Sequence, residues 1–248
     1  MSHSFEIKEG AFILSDAHYS PHRPELKTLL QEIDLGHLHP SQLILMGDIF
    51  DTLFGPIAYT LDANASMIEL INSIAQKMEV IYLEGNHDFC LEGVFENVKT
   101  IPLSSQPLTC KYQNKKVLLA HGDFSEGLGY KIYTSLIRSK TLLTLLGFID
   151  TLGNHFVLKK LDRYLQKKED CNHFENFERY IIARLEQRFS HSCDIFIEGH
   201  FHQNRSFLVG DFTYINLAAF ACNQRYFIVQ SSQEEQLLEV KTSAESGE

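Results

Sequence analysis

No apolar run in this 248-residue sequence approaches the roughly 18 residues a membrane-crossing helix needs. A positive excess is missing too. Lys and Arg number 22 against 32 Asp and Glu, a formal charge of −10 that argues against general nucleic-acid binding. Cysteine is sparse. Cys90, Cys110, Cys171, Cys193 and Cys222 are odd in number and contain no C-x-x-C. That pattern predicts thiols that serve as small core residues in a reducing, cytoplasmic setting. Met1–Gly10 has charges of both signs and no apolar core, so it does not read as a signal peptide. No internal repeat of solenoid length occurs.

What is present is a run of short apolar segments that stop abruptly. Ala11–Leu14, Leu43–Met46 and Val80–Leu83 read as buried parallel strands. Between them, Pro24–Ile33 and Asp62–Met78 carry apolar residues at helical spacing, giving the βαβ alternation of a parallel sheet. Leu108–Tyr112 and Lys116–Ala120 predict a hairpin, and Gly127–Ser190 a helical segment without strands. Within it, Asn172–Phe189 has the spacing of one core-packed helix. Asp194–Ile197, Phe207–Val209, Phe212–Leu217, Tyr226–Gln230 and Leu237–Lys241 return to strand. Residues 1–241 thus read as one domain with a helical insertion at about 127–190. Residues 242–248 read as a disordered polar tail.

Five of these strands end in polar clusters: Asp16-x-His18, Gly47-Asp48-x-x-Asp51, Gly85-Asn86-His87-Asp88, His121-Gly122-Asp123 and Gly199-His200-x-His202. Each histidine alone is more simply a satisfied loop or core residue. Five clusters at five strand ends are not explained that way, because ligands in α/β sheets sit beyond the carboxyl ends of strands. Mixed imidazole, carboxylate and amide donors suit two ions of Mn²⁺, Fe or Zn²⁺ better than Ca²⁺ or Mg²⁺. Such a pair activates water and neutralises phosphoryl charge.

In this order the five motifs resemble the calcineurin-like metallophosphoesterase family over about Ala11–Leu217. The resemblance implies an α/β four-layer fold of two facing mixed sheets flanked by helices, and a hydrolase of phosphoester or diphosphate bonds. It implies that Asp16, His18, Asp48 and His202 hold one divalent metal, and that Asp48, Asn86, His121 and His200 hold the other. By the same resemblance His87 contacts phosphate and protonates the leaving oxygen, and Asp51 orients His87. Asp123 has no ligand role in the family pattern.

The insertion bears on substrate. Within Gly127–Lys168, Lys131, Arg138, Lys140, Lys159, Lys160, Arg163, Lys167 and Lys168 face only Asp150 and Asp162. That is +6 in a chain of −10. The same stretch holds Leu142–Ile149, too short to span a membrane and too apolar for a solvated helix. It reads as an interfacial element or a lid over an amphiphile, against the simpler alternative of a packed hairpin with solvated lysines. A cap at this point resembles family members that split a UDP-linked diacylated sugar with Mn²⁺. The implied partner is an amphiphilic nucleotide-lipid, on the cytoplasmic face of the inner membrane. The chain departs from them at His87, where they carry Arg, and at Ser125–Gly129, where they carry paired Asp. The competing readings are a phosphodiesterase or phosphatase on soluble substrates and a non-catalytic scaffold.

Overall fold

The computed structural model describes residues 5–123, 138–168, 171–188, 192–230 and 237–243. In chain order the elements begin with β1 (Phe5–Glu6), β2 (Phe12–Leu14), α1 (Glu25–Asp34), β3 (Leu43–Leu45), β4 (Leu53–Phe54) and α2 (Ala58–Lys77). Then come β5 (Val80–Leu83), β6 (Asp88–Phe89), β7 (Val98–Ile101), β8 (Leu108–Tyr112) and β9 (Lys115–Ala120). Helices α3 (Lys140–Leu152), α4 (Phe156–Leu165) and α5 (Phe177–Arg188) follow. The last elements are β10 (Ile195–Glu198), β11 (Arg205–Val209), β12 (Phe212–Asn216), α6 (Phe220–Asn223), β13 (Arg225–Val229) and β14 (Leu238–Thr242).

Two mixed six-stranded sheets face each other, in the orders β14-β13-β2-β3-β5-β7 and β1-β8-β9-β10-β12-β11. The alternation of side chains along a strand builds the layers. Leu43 and Leu45 face α1 and α2, joining Leu26, Leu30, Met67 and Ile71 in one core. Ile44 and Met46 point the other way and meet Val117, Leu119, Ile195 and Ile197 of the second sheet. The far face of that sheet, with Leu118, Phe196 and Tyr214, packs on Phe177, Ile181 and Leu185 of α5. Helix, sheet, sheet and helix are the four layers. Strands β2, β3 and β5 run parallel, as do β9 and β10.

Helices α3 and α4 stand apart from this core. Ser139 caps α3 by accepting from Leu142 N, and Asp150 Oδ1 caps α4 by accepting from Val157 N at 2.8 Å. The two helices diverge by 101°. Their inner side, with Leu143 and Leu158, packs on Ile57 and Phe89. Thr52 and Tyr59 donate to Asp162 at 3.3 and 3.4 Å, so α4 is also held by polar contacts.

Two expectations are corrected here. The helix expected over Asn172–Phe189 begins only at Phe177. Gln203 explains the late start: its Nε2 donates to Asn172 O and its Oε1 accepts from Phe174 N, while Asn176 sits at φ 59°. The cysteines are not all thiols, since Cys171 and Cys222 form a disulfide with Cα atoms 5.6 Å apart. Their 51-residue separation hides the pair from any spacing rule, because only the fold brings the two Cβ atoms together. Of the expected tail, Thr242 lies in β14, and residues 244–248 lie outside the described residues. So do Ser125–Gly129 and Lys131.

Candidate active site

The strands β2, β3, β5, β9 and β10 all deliver their carboxyl ends to one place. Contacts across the two sheets show this directly. His202 Nε2 lies 3.0 Å from Asp16 Oδ1, and His121 Nε2 lies 3.4 Å from Asp48 Oδ2. The main-chain N–H of His200 donates to the Asp16 carboxylate at 3.0 Å, and Ser15 Oγ donates to the same group.

Three sets of ligating atoms each lie within 4.8 Å of one another: Asp16, His18 and His202; Asp48, His121 and His200; and His18, Asp51 and His87. Asn86 Oδ1 stands 3.2 Å from His121 Nε2. The backbone is bent to make this arrangement. Asp16, His18, Asp48, His200 and His202 all have φ between 45° and 62°. For residues with a Cβ that region costs about 1–2 kcal/mol each, and such strain collects where side chains must be aimed.

The donors fit a pair of divalent ions. His121 Nδ1 faces the carbonyl oxygen of Met46 at 2.9 Å. A carbonyl only accepts, so Nδ1 carries the proton and Nε2 is turned towards Asp48 and Asn86. Electrostatics agree. Burial alone would raise the Asp16 carboxyl, but the His202 imidazole beside it brings it down to about 2. Burial likewise opposes a low value for Asp48, and His121 and His87 hold it well below the carboxylate range. His121 is raised in turn, because Asp48 outweighs burial, while burial and the charge of His121 push His200 down to about 4. Two fully buried carboxylates thus draw positive charge to themselves, and divalent cations would meet the same demand.

His87 lies between these groups. Its main-chain N–H donates to Asp48 Oδ1 at 2.8 Å, and its ring packs edge-on to His18 with centroids 4.8 Å apart. Its Nδ1 faces the main-chain carbonyl of Asp51 at 2.9 Å. The hydrogen bond to His87 thus comes from the Asp51 main chain, while the Asp51 carboxylate stands within 4.8 Å of the His87 ring without bonding it. That carboxylate lies 3.4 Å from His18 Nδ1 and 3.9 Å from Arg23 Nη1. The loop after β3 thus brings both the carbonyl and the carboxylate of Asp51 near His87, and the carbonyl makes the hydrogen bond.

Some supporting residues escaped the sequence reading. Asp88, fully buried, accepts from Asp48 N, Ile49 N, Phe50 N, Gly85 N and the Tyr82 hydroxyl at 2.6–3.2 Å. It fastens the Asp48 loop to the Asn86 loop. Burial, and then the nearby Asp48 carboxylate, push it up to about 7. Asp88 did stand inside a recognised cluster. Gln106 gave no such signal, yet its Oε1 accepts from His121 N at 2.7 Å. Arg138, one of the cations counted in the insertion, is mostly buried. It donates to Asp123 Oδ2 and to the Gly85 carbonyl, both at 2.9 Å.

Gly85 itself offers a test. A Cβ there would stand 2.2 Å from Asp48 Oδ1 and 2.4 Å from Asp48 N. Gly85→Ala is therefore expected to displace Asp48 and to weaken divalent-metal binding by about 10- to 100-fold. Isothermal titration of the metal-stripped variant reads this, and wild-type affinity would refute the close fit.

Two facing sheets with clusters of potential metal ligands at their carboxyl edge fit a phosphoester hydrolase. The model of the calcineurin-like phosphoesterases matches residues 12–204, and the chain belongs to that family. It is similar to the UDP-2,3-diacylglucosamine hydrolase of Aeromonas hydrophila subsp. hydrophila, with 25% identity over 203 residues, 78% of this chain and 82% of that protein. It is also similar to the UDP-2,3-diacylglucosamine hydrolase of Haemophilus influenzae strain Rd, at 22% identity over 222 residues, 86% and 91% of the two chains. Among solved structures, a phosphoesterase from E. coli aligns with a TM-score of 0.48 at 12% identity, covering 94% of this chain and 98% of that one.

Proposed function

We propose that this protein hydrolyses UDP-2,3-diacylglucosamine to UMP and 2,3-diacylglucosamine 1-phosphate at the surface of a membrane. The observation that carries this reading is an apolar cap left exposed beside a hydrolase site. On α3 and α4, Leu145, Leu146, Phe148, Ile149, Leu152, Phe156, Val157 and Tyr164 are 47–75% exposed. A soluble surface rarely leaves such a stretch uncovered. Lys159, Lys160, Arg163, Lys167 and Lys168 are exposed on and just after α4, the pattern of an element resting on anionic lipid. Arg23 Nη2 donates to the Lys168 carbonyl at 3.4 Å, tying the end of the cap to the loop that carries His18. From there an open cleft of about 700 Å³, lined by Lys168, His173 and Phe174, reaches His200 and His202. Cap and site thus share one surface. The names of the two similar hydrolases support the same substrate.

In this reading Asp16, His18 and His202 would hold one ion, Asn86, His121 and His200 would hold the other, and Asp48 would serve as a shared ligand. Mn²⁺ is the proposed metal. When bound, the ions supply an activated water and offset phosphoryl charge. The chain's own residues do the rest. The Asp51 carbonyl accepts from His87 Nδ1–H and fixes the ring, so that the imidazolium can release a proton from Nε2 to the leaving oxygen. The basic end of α4 meets the diphosphate or the lipid surface, and the apolar face meets acyl chains.

Two measurements test this. Mass spectrometry of UDP-2,3-diacylglucosamine incubated with enzyme and Mn²⁺ should show UMP and the acylated sugar phosphate. Replacing Phe148, Leu152 and Phe156 with Ser should leave the melting temperature unchanged, since all three are exposed. Each such side chain is worth about 1.5 kcal/mol or more when buried. Turnover of the diacylated substrate should therefore fall by about a thousandfold at subsaturating concentration, while bis-p-nitrophenyl phosphate hydrolysis persists. Equal retention on both would favour a soluble substrate.

A further inference from the structure

Helix α5 belongs to the stretch between β9 and β10, outside the five strand-end clusters, yet one of its side chains reaches their floor. Arg184 is buried, with 6% of its side chain exposed. Its Nη1 donates to the carbonyl of Gly122 at 3.0 Å, and its Nη2 donates to Glu198 Oε2. The Tyr214 hydroxyl donates to the same carboxylate oxygen at 2.8 Å. The guanidinium carbon lies 4.9 Å from the centre of the Phe201 ring.

These partners are the neighbours of two proposed ligands. Gly122 follows His121. Glu198 stands two residues before His200, and Phe201 directly after it. The rings of His121 and His200 meet edge to face with centroids 5.1 Å apart. Gly122 makes that approach possible: at φ 132°, a Cβ there would fall 2.9 Å from His200 Cβ. A glycine in that region has little conformational preference of its own, so something must hold its carbonyl in place. Arg184 does so, and the same planar group pins the strand end that leads to His200. Burying such an ion pair is costly, and apolar residues would pack the layer at least as well. The pair is better explained by where it points than by stability.

We infer that Arg184 is a positioning residue for the second metal, setting the relative placement of His121 and His200 from the helical insertion. The inference rests on the two-metal reading. Its chemistry is indirect: a two-pronged guanidinium fixes ring orientation through Gly122 and Glu198, a role a lysine ammonium cannot fill.

The test is titration of metal-stripped protein with Mn²⁺ alone, followed calorimetrically. Arg184→Met combined with Glu198→Gln removes the pair without stranding a buried charge. The double variant is expected to keep a cooperative melt, to bind one Mn²⁺ with wild-type affinity and to bind the other about 10- to 100-fold more weakly. Arg184→Lys should weaken the same site, and it decides the matter if the double variant does not fold. A purely structural anchor would lower the melting temperature and leave both Mn²⁺ affinities alone, which overturns the inference by itself. A wild-type protein that takes up fewer than two Mn²⁺ overturns the two-metal reading, and this inference with it.

Discussion

Asp48→Ala is expected to yield a folded protein that retains neither metal ion and turns over no substrate. Asp48 stands at the junction of the loops. Its Oδ2 is 3.4 Å from His121 Nε2, and its Oδ1 accepts from His87 N. Its carbonyl accepts from His18 N at 3.0 Å, on the loop that carries the other proposed ligands. Truncation keeps the bonds of Asp48's own main chain and removes the carboxylate, with the bond it accepts from His87 N. The fold should therefore survive, because the N–H groups of residues 48–50 are still satisfied by Asp88. Charge stabilisation by a metal pair is worth several kcal/mol, so the loss should reach about four powers of ten or more. Stripping metal from the wild-type protein with a chelator should have the same effect. Added Mn²⁺ should restore the wild type and leave the variant inactive. Elemental analysis beside the assay makes the comparison, and full activity in metal-stripped wild-type protein would sink the proposal.

His87→Ala should be the next most damaging change, and for a different reason. A positioned proton donor contributes about 10²–10⁴ in rate, so kcat should drop by that order while metal content stays near two ions per chain. The loss should shrink on substrates with good leaving groups, which depart without a proton. The side chain also lies within 4.8 Å of ligating atoms of His18 and Asp51, so a ligand role is the concrete alternative. A parallel fall in metal content would establish that role. Because a main-chain carbonyl of Asp51 holds His87, Asp51→Asn should preserve the ring's orientation and cost less than His87→Ala.

The proposed lipid-facing surface and the strand-end clusters are separable in this arrangement. The exposed face of α3 and α4 lies on helices whose inner side packs on Ile57 and Phe89, so surface substitutions there need not disturb the strand ends. The Arg184 contacts run the other way. They join α5 to the loop after β9 and the end of β10, so that part of the insertion is structurally continuous with the site.

Much of this was legible in the chain itself. Short β-branched and leucine-rich runs such as Val80–Leu83 can only be buried on both faces, which marks them as central parallel strands. Polar clusters at their carboxyl ends, with glycines at the turns, mark where a ligand sits. Helical spacing located α1 and the inner face of α2 to within a few residues. These are local patterns, and period and propensity report local structure. Contacts between distant residues are another matter. That Cys171 meets Cys222, that Arg138 and Arg184 reach the loops after β5 and β9, and that Asp51 presents its carbonyl to His87 all depend on how two sheets and an insertion come together. The helix expected from Asn172 failed on the same account: Gln203, 31 residues away from Asn172, captures its carbonyl and holds the segment open. Side-chain spacing carries no record of such a partner, because the partner is supplied only by the tertiary structure.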